Sequence, residues 1–287
     1  MTAFRRAMMA LLAVAMLAAT VMAGAASTTN FSDQWWIENE SGWGASVLQQ
    51  SDVLFIDLFV YGPDGKPTWF TAAAFLQGNA PAGHVRFTGD LYSTTGPYFG
   101  AGTFNPGAVG YAKVGTLTFD ADSVNTATLT YTVGGVPVAK NVTRQSWRNE
   151  NLSGSYYGGF VWDQPCEDGT DNDPFELFGT LQFNHNADNT VRIDLQITSA
   201  FSNGVPQLIP ANATGSITGP YTQSGHMGRI QGTFKYSMGQ ENGTLQWNLF
   251  EIERTINGIT GRFNGQIAGD GCKVYRRYDG RFGGVRR

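Results

Sequence analysis

The chain has 287 residues, of which 37 are glycine, 13% are aromatic and only 15% are charged, with a formal net charge of −4. Its first 26 residues hold two of the 19 basic residues and no acidic one, so the remainder sets 17 basic against 23 acidic residues, a net charge of −6. That balance lacks the basic footprint that nonspecific nucleic-acid binding requires.

Residues 1–26 read as a signal peptide. Arg5 and Arg6 supply the positive start, an apolar run follows over 7–22, and Ala23, Gly24, Ala25 and Ala26 offer small residues for cleavage. The run is shorter than the roughly 20 residues that a membrane helix needs. No cysteine stands at the cleavage region directly after it, so a lipid-anchored form is not expected. No later stretch is long and apolar enough to span a bilayer as a helix. The expected destination is the periplasm or the cell exterior.

The next block is Trp35-Trp36-Ile37-Glu38-Asn39-Glu40-Ser41-Gly42-Trp43-Gly44, with three of the seven tryptophans in ten residues. A strand is predicted over Val53–Tyr61. Leu54, Ile56, Leu58 and Val60 alternate with Phe55, Asp57, Phe59 and Tyr61, giving an aliphatic face and an aromatic face that carries one carboxylate. The turn Gly62-Pro63-Asp64-Gly65-Lys66-Pro67 separates it from a strand over Thr68–Phe75. Gly134-Gly135 separates Thr126–Val133 from Val136–Ser146. A change of unit is expected near Arg148-Asn149-Glu150-Asn151, dividing the mature chain into domains over 27–148 and 149–287.

In the second half, Asn186-Ala187-Asp188-Asn189 and Asn257-Gly258 mark hairpins. Val191, Ile193, Leu195 and Ile197 alternate with polar residues, as do Leu245, Trp247 and Leu249. Sequential hairpins at this spacing predict an all-β protein of two antiparallel meander domains, barrel-like or sandwich-like. The lone pair Cys166 and Cys272 predicts a disulfide in an oxidising compartment. It would close a loop of about 105 residues, worth about 4 kcal/mol in the chain-entropy account.

Over about residues 31–147 the chain resembles an uncharacterised β-domain of secreted proteobacterial proteins. The resemblance rests on Trp36, Glu40-Ser41-Gly42-Trp43-Gly44, Gln49-Gln50, Leu54-Phe55, Phe59-Val60-Tyr61, Asp64-Gly65, Pro67 and Trp69. It departs from the family at Glu40, where a proline often follows the asparagine, and at Ser51, where a glycine follows the glutamines. The resemblance implies an architecture and an exported location, and no activity.

Residue chemistry adds candidates. Trp36, Trp43, Phe55, Asp57, Tyr61 and Trp69 form the expected ligand surface, since aromatic rings with a few polar groups suit sugars and small apolar molecules. Glu38 with Glu40, or Glu251 with Glu253, are candidates for a general acid and base in a glycosidase-like hydrolase. Asp168, Asp171 and Asp173 form an acidic loop with oxygens suited to Ca²⁺, but without the EF-hand spacing. No Gly-x-Ser-x-Gly motif and no cofactor motif is found. Lys273, Arg276, Arg277, Arg281, Arg286 and Arg287 make a basic end, read either as a solvated tail or as a docking element for an anionic surface. The leading expectation is a noncatalytic binding or interaction protein of the cell envelope or exterior. The alternatives are an envelope hydrolase and a structural module with a protein partner.

Overall fold

The structure, a computed structural model, describes residues 29–100, 102–163, 174–266 and 277–287. The signal peptide, Cys166, Cys272 and the acidic residues Asp168, Asp171 and Asp173 lie outside the described residues. The chain divides into two compact units, 1–142 and 143–287. Among the described residues, a 3-10 turn at Pro106–Ala108 is the one regular element that is not a strand.

The first unit is a closed barrel of eight strands in sequential order. These are β1 (Asp33–Trp36), β2 (Gly44–Gln50), β3 (Val53–Tyr61), β4 (Pro67–Gln77), β5 (Val85–Thr95), β6 (Gly110–Ala121), β7 (Thr126–Val133) and β8 (Val136–Arg144). The second unit holds β9 (Gly154–Asp163), β10 (Pro174–His185), β11 (Thr190–Ser202), β12 (Val205–Pro206), β13 (Thr214–Ser224), β14 (Met227–Met238), β15 (Glu241–Arg254), β16 (Gly258–Gln266) and β17 (Arg277–Arg286). Here β17 pairs back onto β9, and a β10–β11 pairing completes the ring, with the two-residue β12 appended to β11. Both sheets are therefore closed antiparallel meanders. Of the two architectures open to the sequence, barrel and sandwich, the barrel holds. Closure pairs the edges of the eight-strand rings, which removes the aggregation hazard of a long open strand.

The turns lie where their chemistry places them. Gly134 and Gly135 join β7 to β8 with φ of 56° and 85°, the doubly left-handed backbone that a two-residue hairpin of this kind demands. The segment Gly62–Lys66 joins β3 to β4, closed by the Gly62 amide donating to the Lys66 carbonyl at 2.9 Å.

Each barrel is filled by its own inward side chains, as eight-stranded barrels permit. In the first, Trp35 packs edge-on against Phe119 at 4.9 Å between ring centres, beside Phe31 and Phe87. The Trp35 indole donates to the Phe31 carbonyl at 3.0 Å, which gives its buried N–H a partner. In the second, Trp247 stacks between Phe234 at 4.2 Å and Phe263 at 4.7 Å. Leu54, Ile56 and Leu58 are wholly buried, so the aliphatic face of β3 is core and its aromatic face points outward.

A hydrogen-bonded hub holds the start of the second unit. The Gln223 amide donates to the carbonyls of Arg148 and Gly225, while its oxygen accepts from the Glu150 amide and the Tyr221 hydroxyl. Burial raises the Tyr221 phenol well above its ordinary range.

Candidate functional site

Strand registers define the outer face of β2, β3 and β4. Leu48 lies opposite Phe55, and Phe55 opposite Ala73. Ser46 lies opposite Asp57, and Asp57 opposite Thr71. Gly44 lies opposite Phe59, and Phe59 opposite Trp69. Tyr61 stands at the rim opposite Pro67. Three parallel rows result, about 7 Å apart along the strands. An apolar ridge of Leu48 and Phe55 and an aromatic ridge of Phe59 and Trp69 flank a polar row of Ser46, Asp57 and Thr71.

Both ridges are open to solvent, with Phe55 at 46% and Trp69 at 52% exposure. Phe75, on the next row beyond Phe55, is exposed as well. The Thr71 hydroxyl in the polar row is shielded and has no hydrogen-bond partner. A buried hydroxyl left without a partner costs free energy. The polar row continues at its β1 end, where the Gln34 amide donates to the Ser46 hydroxyl at 2.9 Å.

The structure brings Phe55, Asp57, Tyr61 and Trp69 onto this one surface. Trp36 shares its side of the sheet. Carrying the Trp35–Ala45 pairing one residue on sets Trp36 opposite Gly44, which leaves no side chain between Trp36 and Phe59.

Trp43 is placed differently. It packs from the barrel end against the core. Its indole donates to the Glu40 carboxylate at 3.1 Å, and Lys140 sits 2.6 Å from that carboxylate and 5.5 Å from the Trp43 ring centre. The Lys140 bond holds the Glu40 carboxyl below its ordinary range; desolvation opposes this, and the Trp43 bond lowers it further. The Glu40 side chain thus bonds Trp43 and Lys140.

The structure places the two carboxylate pairs differently. Glu38 and Glu40 stand in an exposed turn, not on a strand, and Glu40 is ion-paired. Regular alternation would aim Glu251 and Glu253 the same way, but β15 carries a bulge between Phe250 and Glu253. Leu249 and Ile252, three residues apart, are both core, and Glu251 takes a left-handed φ of 51°. Glu251 is nearly buried and bonded to Arg262 at 3.3 Å, whereas Glu253 lies at the end of an open groove.

Sequence reasoning did not single out Leu48 or Phe75. The hairpin turn contained the signal, since it sets the register that places Phe75 beside Val53 and Phe59 beside Trp69. Comparison of the chain with protein-family profiles, curated proteins and solved structures returns no match.

Proposed function

We propose that this chain is an exported, noncatalytic binding protein of the cell envelope or exterior, and that the outer face of β2–β4 engages a neutral glycan chain. One observation carries the reading: two exposed apolar ridges flank a row of hydroxyl and carboxylate side chains. A sugar ring has apolar C–H faces and a hydroxyl edge. The ridges match the faces through stacking, and Asp57 and Ser46 match the hydroxyls.

A purely apolar small ligand is less well served. The core of the first barrel is filled by aromatic and aliphatic side chains, and the exposed ridges are interrupted by the polar row. The positions of the glutamates favour binding over hydrolysis, because Glu40 and Glu251 are each held by a cation.

The test is calorimetric titration of residues 27–287 with neutral oligosaccharides built from glucose, xylose and N-acetylglucosamine. Binding by the native chain, weakened at least about tenfold by Trp69→Ala and by Phe59→Ala, supports the reading. Binding unchanged in both folded variants rejects it.

A further inference from the structure

The second barrel carries a separate groove. It is open, about 540 Å³ in volume, and crosses β10, β9, β17, β16 and β15. The size falls within the range of about 300–1,000 Å³ usual for small-molecule sites. Phe178, Gly159, Gly283, Thr260 and Glu253 stand side by side across those strands. Tyr157 and Val285 wall one side, and Val161 and Arg281 wall the other. Arg287 lies 5.3 Å from the Tyr157 ring centre and supports that wall.

Two observations point to an occupant. The first is charge. Arg262 and Arg281 are direct partners across β16 and β17. Like charges directly opposite each other destabilise a sheet. Glu251 reaches Arg262 at 3.3 Å, but among the described residues no carboxylate is paired with Arg281. An anion in the groove would relieve that repulsion.

The second is Gly283. It does not have a positive φ. A side chain there would meet the Ile259 carbonyl at 3.4 Å and the Thr260 methyl at 3.6 Å, which is ordinary contact. Neither backbone nor packing requires glycine at this position. Gly159 opposite differs, because a Cβ there would run into the Leu177 carbonyl. Glycine weakens a strand interior and marks places where a ligand approaches the backbone. At Gly283 its consequence is an open floor.

We propose that this groove binds a carboxylated sugar ring of the uronic-acid class. The Arg281 guanidinium grips the carboxylate with paired hydrogen bonds. The apolar face of the ring lies on the Gly159–Gly283 floor, between Tyr157 and Val161. Thr260 and Glu253 take hydroxyls at the far end. The site is independent of the glycan surface on the first barrel.

The experiment is calorimetric titration of residues 27–287 with trigalacturonate and with its fully methyl-esterified form. The acid should bind, and the ester should bind at least about tenfold more weakly, because a charge-assisted pair is lost. Arg281→Gln should weaken the acid by a similar factor and leave the ester unchanged. Gly283→Leu should abolish binding of both by filling the floor. Should that variant not fold, the ester comparison and Arg281→Gln still decide. No binding of trigalacturonate, equal affinity for acid and ester, or undiminished binding by Arg281→Gln would each overturn the proposal.

Discussion

Phe59 and Trp69 are direct partners across the β3–β4 ladder, and each leaves about half of its side chain in water, at 46% and 52% exposure. A cross-strand aromatic pair contributes about 0.2–1 kcal/mol to a sheet, so its exposure is a modest matter for stability. Trp69→Ala should therefore lower stability by no more than about 1 kcal/mol. Urea denaturation of the variant beside the native chain measures this. A large loss would mean that Trp69 supports the fold instead of facing a ligand.

Trp35 and Trp36 are adjacent and should behave oppositely. Trp35 is fully buried against Phe119, while Trp36 stands on the outer side. Trp35→Ala should cost about 3–5 kcal/mol, the usual range for truncating a buried aromatic. Trp36→Ala should cost under about 1 kcal/mol. Equal losses in denaturant melts would contradict the inward and outward assignment of β1.

Asp120 should contribute to acid sensitivity. Burial alone would raise its carboxyl, but hydrogen bonds from Arg86 and His84 outweigh this and leave it below the ordinary range. A carboxyl depressed in the folded state stabilises above the unfolded value of about 3.9, and that stability is lost as pH falls through the lower folded value. The native chain should therefore destabilise on acidification below about pH 4 more steeply than Asp120→Asn. Parallel stability–pH curves would remove Asp120 from the account.

Gln223 should anchor the start of the second unit. Its side chain bonds the Glu150 amide at 2.6 Å, the Arg148 carbonyl at 2.8 Å and the Tyr221 hydroxyl at 2.8 Å. Gln223→Ala should lower stability by about 1–3 kcal/mol by leaving these groups unpaired. Amide exchange at Glu150 should quicken as well; unaltered exchange would show that the hub does not hold residues 146–150.

Much of this fold was legible in single residues. The alternation of Leu54, Ile56 and Leu58 with Phe55, Asp57 and Phe59 gave β3 two distinct faces, because a strand's side chains alternate, but it left open whether the aromatic face was exposed or buried as well. Gly134-Gly135 marked its hairpin for the same local reason. Barrel against sandwich was not legible, because closure depends on which distant strands pair, such as β17 with β9.

The candidate surface was legible in part. Phe55, Asp57, Tyr61 and Trp69 share one face, whereas Trp43 turns to the barrel end through contacts with Lys140, 97 residues further along the chain and silent in local patterning. The bulge at Glu251 was likewise invisible, since it arises from how β15 fits between two neighbours. The groove over Gly159 and Gly283 draws on five strands, so no local stretch contains it.

The most direct measurement is calorimetric titration of residues 27–287 with neutral oligosaccharides, run in parallel on Trp69→Ala. The expected result is measurable binding by the native chain and a loss of at least about tenfold, near 1.4 kcal/mol, in a variant that melts like the native protein. Native-like affinity in that folded variant, or no binding across the panel, would contradict the assignment of the β2–β4 face as a glycan surface.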